Sequence, residues 1–325
     1  MRVLKGHTGK LRAVAYSPDG SKLATAGDAG VTKLWDVATG HELATIHQPG
    51  GGEVLRADEK RVGQLAFSHD GKVLVTGTGG GWVKWGRIRF WDVETARELP
   101  FLDESRESSP PIAFTPDDAF LIFAHGWGIY GQSRRFTGTV LAWDRRTGTV
   151  VGPFIETQDP VVALAVSARA DLLAVAASSS RGSHVRLWGL TSKREQGKLD
   201  LPPVPQSHLR PAVQGVAFSP DGQALAVAAG TQVLVFDLAH RGLRGTIRVH
   251  ANQVAAVAFA PNNRMLATAS QDGTVRLWDP ESLSERAAYD WKLGKLRHIA
   301  FHPDSLTIAV VGEKSRVVIW DVEVG

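Results

Sequence analysis

VAFAPNNRMLATASQDGTVRLWD, residues 257–279, decides the fold. An apolar strand runs into a Pro-Asn-Asn turn, and a strand of small residues follows. Asp272-Gly273 then suits a tight hairpin that needs positive φ, and an alternating strand ends on Trp278-Asp279. Apolar residues at every second position, bounded by Gly, Pro and Asp, predict short antiparallel strands, and no segment of the chain sustains a 3.6-residue apolar period.

The unit recurs. Seven apolar strands lead into Pro-Asp-Gly-like turns: VAYSPDG (14–20), LAFSHDG (65–71), IAFTPDD (112–118), LAVSARA (164–170), VAFSPDG (216–222), VAFAPNN (257–263) and IAFHPDS (299–305). Seven later strands close the units: KLWD (33–36), RFWD (89–92), LAWD (141–144), RLWG (186–189), LVFD (234–237), RLWD (276–279) and VIWD (318–321). Phe236, Trp278 and Trp320 are spaced 42 residues apart, the period of a four-stranded propeller blade.

Repeated this often, these endings and turns resemble the WD-repeat family, and the resemblance covers the whole chain. It implies an all-β, seven-bladed β-propeller of four-stranded antiparallel blades, read as a single domain over 1–325. Sheets of this kind hide their edges by radial repetition around a channel. The seventh unit lacks an outer strand while RVLK (2–5) is an orphan strand, so the N-terminal strand is expected to complete the last blade. Blades four and five depart from the pattern at Trp188-Gly189 and Phe236-Asp237. The compact turns SPDG and WDVATG resemble those of bacterial WD-repeat proteins, where such propellers are often attached to signalling domains. The expectation is therefore a domain cut from a longer protein.

The family places a buried hydrogen-bond chain in each well-formed blade: a histidine entering the blade, a Ser or Thr on the second strand, an Asp in the following turn and the Trp of the third strand. The resemblance assigns these structural roles to His250, Ser270, Asp272 and Trp278 in blade six. Blade one matches with His7, Gly27, Ala29 and Trp35, so two members are missing there. Both histidines read as packing residues rather than catalytic ones.

Composition bounds the rest. Apolar residues are 43% and charged residues 22% of 325, as in globular proteins. A formal charge of +4 permits a polyanionic partner without requiring one. The absence of cysteine removes disulfides, thiol catalysis and cysteine metal sites, and points to a reducing compartment. MRVLKGHTGK has no apolar signal core, and no run is long enough to span a bilayer, so the expectation is a soluble, cytoplasmic monomer with no membrane role.

Gly126, Gly128 and Gly131 match Gly-x-Gly-x-x-Gly, the dinucleotide fingerprint. That site needs a strand before the glycines and a helix after them, within a βαβ unit. Here they fall between the second and third strands of blade three with no helix following, and read as loop. The run GTGGGWVKWGR (77–87) in blade two lacks the Gly-Lys-Ser/Thr of a phosphate loop.

In a propeller the loop between strands two and three and the loop between blades share one rim, the top. The long departures from the repeat are of these two kinds: 81–87 and 126–136 within blades, and 47–61, 103–110 and 201–211 between blades. Loops on a rigid scaffold carry binding. Trp82, Trp85, Trp127, Tyr130 and Phe136 alternate with Lys84, Arg87, Arg134 and Arg135, a mixture found at protein interfaces, although aromatics also pack long loops on themselves. Aligning the first strands puts Arg12, Gly63, Pro110, Val162, Gln214, Ala255 and Arg297 at one position, which in the family often faces the channel on the top side. Arg12 and Arg297 belong to neighbouring blades, and paired guanidiniums suit a carboxylate or phosphate. The alternative is neutralisation by internal carboxylates.

The expected function is a non-catalytic scaffold that binds a protein or peptide, acidic or phosphorylated, on the top face, with Arg12, Arg297, Gln214, Trp82, Trp85, Trp127, Tyr130, Arg134 and Arg135 as contacts. No cofactor, metal or catalytic residue is assigned. Two alternatives stand beside it. A hydrolase or lyase site assembled from several blades has no motif here, neither Gly-x-Ser-x-Gly nor His-Glu-x-x-His. Nucleic-acid binding through stacked aromatics is opposed by Glu53, Asp58, Glu59, Asp103, Glu104 and Glu107 on the same face.

Overall fold

The computed structural model describes residues 1–48, 60–79, 87–100, 111–125, 138–179, 182–202 and 212–322. These form seven four-stranded antiparallel sheets, with no helix among the described residues. Blade one consists of Leu11–Tyr16, Lys22–Gly27, Val31–Asp36 and Glu42–His47, from channel to rim, and the next five repeat this order. In the seventh, Arg2–Lys5 pairs outside Arg316–Asp321, with Arg2 opposite Ile319 and Lys5 opposite Arg316. The first strand thus closes the ring as expected.

The small and branched residues of the second strands follow from burial on both faces. Seven apolar clusters lie one at each junction between neighbouring blades. In Ala224–Ala229, Leu225, Val227 and Ala229 pack toward blade four, while Ala224, Ala226 and Ala228 pack toward blade six. A strand sends successive side chains to opposite faces, so one such strand serves two interfaces. Trp278 packs against blade five, Trp320 against blade six and Trp35 against blade seven.

The hydrogen-bond chain of blade six corrects one expected member. His250 Nδ1 meets Asp272 Oδ2 at 2.9 Å, but His250 Nε2 meets Thr268 Oγ1 at 2.7 Å, and Trp278 Nε1 donates to the same oxygen at 3.1 Å. Thr268, not Ser270, is the link. Both point to one face of the strand, but Thr268 lies two residues nearer Leu266, the register partner of Trp278. Ser270 instead donates to the Asn252 and Gln253 carbonyls at 3.1 and 3.0 Å, holding the entry loop.

Blade one does the same: His7 Nε2 and Trp35 Nε1 meet on Thr25 Oγ1 at 2.8 and 2.7 Å. Only the Asp is missing from that blade. In blade two Gln48 replaces the histidine, 3.2 Å from Thr76 Oγ1, which Trp91 also bonds. Blade seven solves the joint with carbon. Val310 stands at the Thr position, and Trp291 packs on Trp320 with centroids 3.9 Å apart.

The bottom turns also tie blades together, through their fourth residue. Asp118, at φ 57°, accepts the His69 and Asp70 backbone N–H groups at 2.8 and 2.9 Å. Asn263 donates to Asp221 at 2.6 Å, and Ser305 accepts the Asn262 N–H at 2.9 Å. Each reaches back to the preceding blade. At Gly20 a side chain would collide with His302, whose ring instead bonds the Gly20 carbonyl at 3.0 Å.

Candidate functional site

The top end of the channel is built by a repeated backbone irregularity. In six blades the pairing of first and second strands slips at one position, leaving Arg12, Gly63, Val162, Gln214, Ala255 and Arg297 outside the ladder. A bulge re-aims the side chain it carries. The six residues all line one cavity of about 390 Å³. Pro110, the seventh aligned position, lies outside the described residues.

The cavity draws in cations that strand alignment did not reveal. Arg12 grips Asp28 with two nitrogens, Nε on Oδ1 and Nη2 on Oδ2 at 3.3 Å. Arg61 Nε lies 3.0 Å from the same Asp28 Oδ1. Across the junction, Arg297 Nη2 and Lys10 Nζ sit 3.6 and 3.5 Å from Glu313 Oε1. The network holds Lys10, Arg12, Arg61 and Arg297 against Asp28 and Glu313. Internal carboxylates thus partner both arginines and still leave the mouth with surplus positive charge.

These groups remain accessible. The side chains of Arg12, Arg61 and Arg297 are 26%, 26% and 28% exposed. Burial opposes ionisation of Glu313, yet Lys10 and Arg297 bring its carboxyl below the usual range. Gln64, Gln214 and Gln271 add neutral amides to the wall. His298 also lines it, with burial holding its ring below the usual histidine range and therefore uncharged at neutral pH.

A cavity with three partly exposed guanidiniums and three amides can bind a carboxylate or phosphate by charge-assisted, bidentate hydrogen bonds. Among its described lining residues no nucleophile is paired with a base. Among the described residues no group of three or more His, Asp or Glu is placed to hold a metal ion. The paired histidines do structural work: burial takes His7 down to about 4, ahead of the repulsion from Lys33, and lowers His250 despite its bond to Asp272.

Trp82, Trp85, Trp127, Tyr130, Phe136, Lys84, Arg134 and Arg135, expected at the top face, lie outside the described residues, as do Gly126, Gly128 and Gly131. The strands flanking those glycines, Phe120–His125 and Gly138–Asp144, are antiparallel neighbours. The βαβ unit of a dinucleotide site has no place between them.

The model of the WD domain, G-beta repeat, matches residues 1–36, 53–92 and 242–279. Over 307 residues, 93% of the chain, the sequence is 26% identical to mouse ribosome biogenesis protein BOP1, covering 36% of that protein. It is 24% identical to ribosome biogenesis protein ERB1 of Yarrowia lipolytica, over 94% of the chain and 37% of the relative. A shorter match, 32% over 117 residues, pairs 35% of the chain with 37% of the Target of rapamycin complex subunit wat1 of Schizosaccharomyces pombe. The chain thus spans little more than a third of each of these relatives. Repeat matches in blades one, two and six, seven blades closed by the first strand and relatives aligned along nearly the whole length make the chain a seven-bladed β-propeller that carries WD repeats.

Proposed function

We propose that this propeller is a non-catalytic interaction scaffold whose channel mouth binds an acidic or phosphorylated segment of a partner protein. The observation that carries the reading is the convergence of Arg12, Arg61 and Arg297 on one cavity with more cations than carboxylates. The bulges fix where Arg12 and Arg297 enter, so little ordering is required on association. One relative is named as a complex subunit and two as ribosome biogenesis proteins, which supports work among protein partners by analogy.

A fluorescent peptide carrying phosphoserine between glutamates, titrated at low salt, tests the site. Arg12→Glu with Arg297→Glu is expected to weaken binding by at least about tenfold, and binding to the native chain to weaken with added salt. Equal affinity in the two proteins would remove the channel mouth from the site.

A further inference from the structure

The bottom rim departs from its own pattern at one blade. The third residue of the bottom turn is Asp19, Asp70, Asp117, Asp221, Asn262 and Asp304 in six blades, but Arg169 in blade four. The residue ending the third strand is Asp in six blades and Gly189 in blade four. The turn is rebuilt accordingly. Where Asp19 and Asp117 accept a Ser or Thr hydroxyl at 2.6 Å, Ser167 Oγ in blade four accepts the Ala170 N–H at 3.0 Å. Ala170 stands where Asp118, Asn263 and Ser305 reach back one blade and, like Gly20, Gly71 and Gly222 at the same place, has no polar side chain with which to do so.

A groove of about 550 Å³ opens at that junction. Phe120, Ile122, Val151, Phe154 and Leu190 line it, and blades three and four supply its two lips. Val151 is 41% exposed and Phe120, Phe154 and Leu190 are half-buried, so apolar surface faces outward here. The volume falls in the range of small-ligand and anchor pockets.

The charge around the groove identifies what fits. Blade four's bottom rim presents exposed Arg169, Lys193 and Arg194. Lys193 Nζ lies 5.2 Å from the Phe154 ring centroid, and none of the three has a carboxylate partner among the described residues. Glu195 is already paired with Arg186 at 2.6 Å. Asp171 and Asp117 face the groove, each with one oxygen committed to turn hydrogen bonds. On a rim that is otherwise aspartate-rich, blade four puts Arg169 in place of one acid and adds Lys193 and Arg194 beside an apolar slot, keeping Asp171 as the acceptor of its turn.

We propose that the groove between blades three and four is a second docking site, for an acidic peptide segment that inserts one large apolar side chain between Phe120, Phe154 and Leu190 and sets its carboxylates against Arg169 and Lys193. The site is independent of the channel mouth, on the opposite rim. An apolar anchor supplies the affinity, and the flanking charges fix orientation and reject basic segments.

The test uses a short labelled peptide of glutamate and aspartate around a central tryptophan, titrated into the full chain. Binding is expected to need the tryptophan, to be absent for the same peptide with lysines in place of the acids, and to weaken at least about tenfold in Arg169→Glu with Lys193→Glu. Both positions are exposed, so the variant should fold normally, as circular dichroism will check. Because the channel mouth also attracts acidic segments, the titrations are repeated in the Arg12→Glu, Arg297→Glu protein, where the tryptophan-dependent part of the binding should persist and only the tryptophan-independent part should be lost. Absence of binding, equal affinity in the blade-four variant, equal binding of a peptide with glycine for tryptophan, or loss only in the channel-mouth variant would each overturn the proposal.

Discussion

Replacing Thr268 with valine isolates the buried joint of blade six. The two side chains have nearly the same shape, so no cavity opens, and only a hydroxyl is lost. That hydroxyl accepts from Trp278 Nε1 at 3.1 Å and lies 2.7 Å from His250 Nε2. With Asp272 Oδ2 held by His250 Nδ1 at 2.9 Å, the neutral ring carries its proton on Nδ1 and receives the threonine proton on Nε2. Thr268→Val therefore strands two buried nitrogens, each worth about 1–3 kcal/mol, and the expected loss is about 2–4 kcal/mol. Blade seven keeps the figure below the sum of two full penalties. There Val310 occupies the matching position and Trp320 Nε1 has no hydrogen-bond partner among the described residues, so a lone indole N–H is tolerated and the larger share should come from His250. Urea unfolding followed by tryptophan fluorescence measures the difference, with Ser270→Ala as comparison. Ser270 donates to two loop carbonyls, of which that of Gln253 keeps the Gln271 N–H, and accepts the Asp272 N–H at 3.1 Å, and its loss should cost about 1 kcal/mol. A Thr268→Val protein as stable as the native chain, or a Ser270→Ala protein that loses more, would refute the assignment of Thr268 as the link.

The pH dependence has a definite sign. His7 ionises at about 4 in the folded chain against an ordinary 6.5, chiefly through burial, so the unfolded chain binds its proton first and stability falls as pH drops from 6.5 towards 4. His7→Gln should flatten that part of a stability profile, and an unchanged slope would assign the loss to other groups. Leu4, only 4% exposed, anchors the closing strand in the cluster shared by blades seven and one. Leu4→Asp buries a charge there and should cost about 3 kcal/mol or more, with exchange protection lost first along Arg316–Asp321; an unaltered protection pattern would contradict strand closure. Asp118→Ala removes the acceptor of the His69 and Asp70 N–H groups and should cost about 2 kcal/mol in urea unfolding, whereas a loss under about 0.5 kcal/mol would show that this tie between blades is not stabilising.

The blade count was legible because two signals recur in every unit: a turn after the first strand and an aromatic near the end of the third. Period-two apolar strands fixed the rest, since each blade buries both faces. The alignment column containing Arg12, Gln214 and Arg297 was legible too, because it recurs at one place in the repeat, whereas the bulge that sits there shows only in the strand register. What escaped was set across strands or blades. Thr268 and Ser270 carry the same chemistry on the same face, and only the register opposite Trp278 separates them. Arg61 lies two positions before the aligned Gly63, and its approach to Asp28 belongs to the junction of two blades. The groove beside Phe154 needed both Ala170 and Arg169 read against the other six turns, together with the depth that only packing provides.

If the channel mouth is the surface on which this propeller holds its partner, charge reversal there must release that partner from the native complex. Affinity capture from the source organism's lysate, read by quantitative mass spectrometry, tests it with three folded baits: the native chain, Arg12→Glu with Arg297→Glu, and Arg169→Glu with Lys193→Glu. A protein should be retained by the native chain and lost specifically from the channel-mouth variant. The same proteins held equally by the native chain and the channel-mouth variant would contradict it.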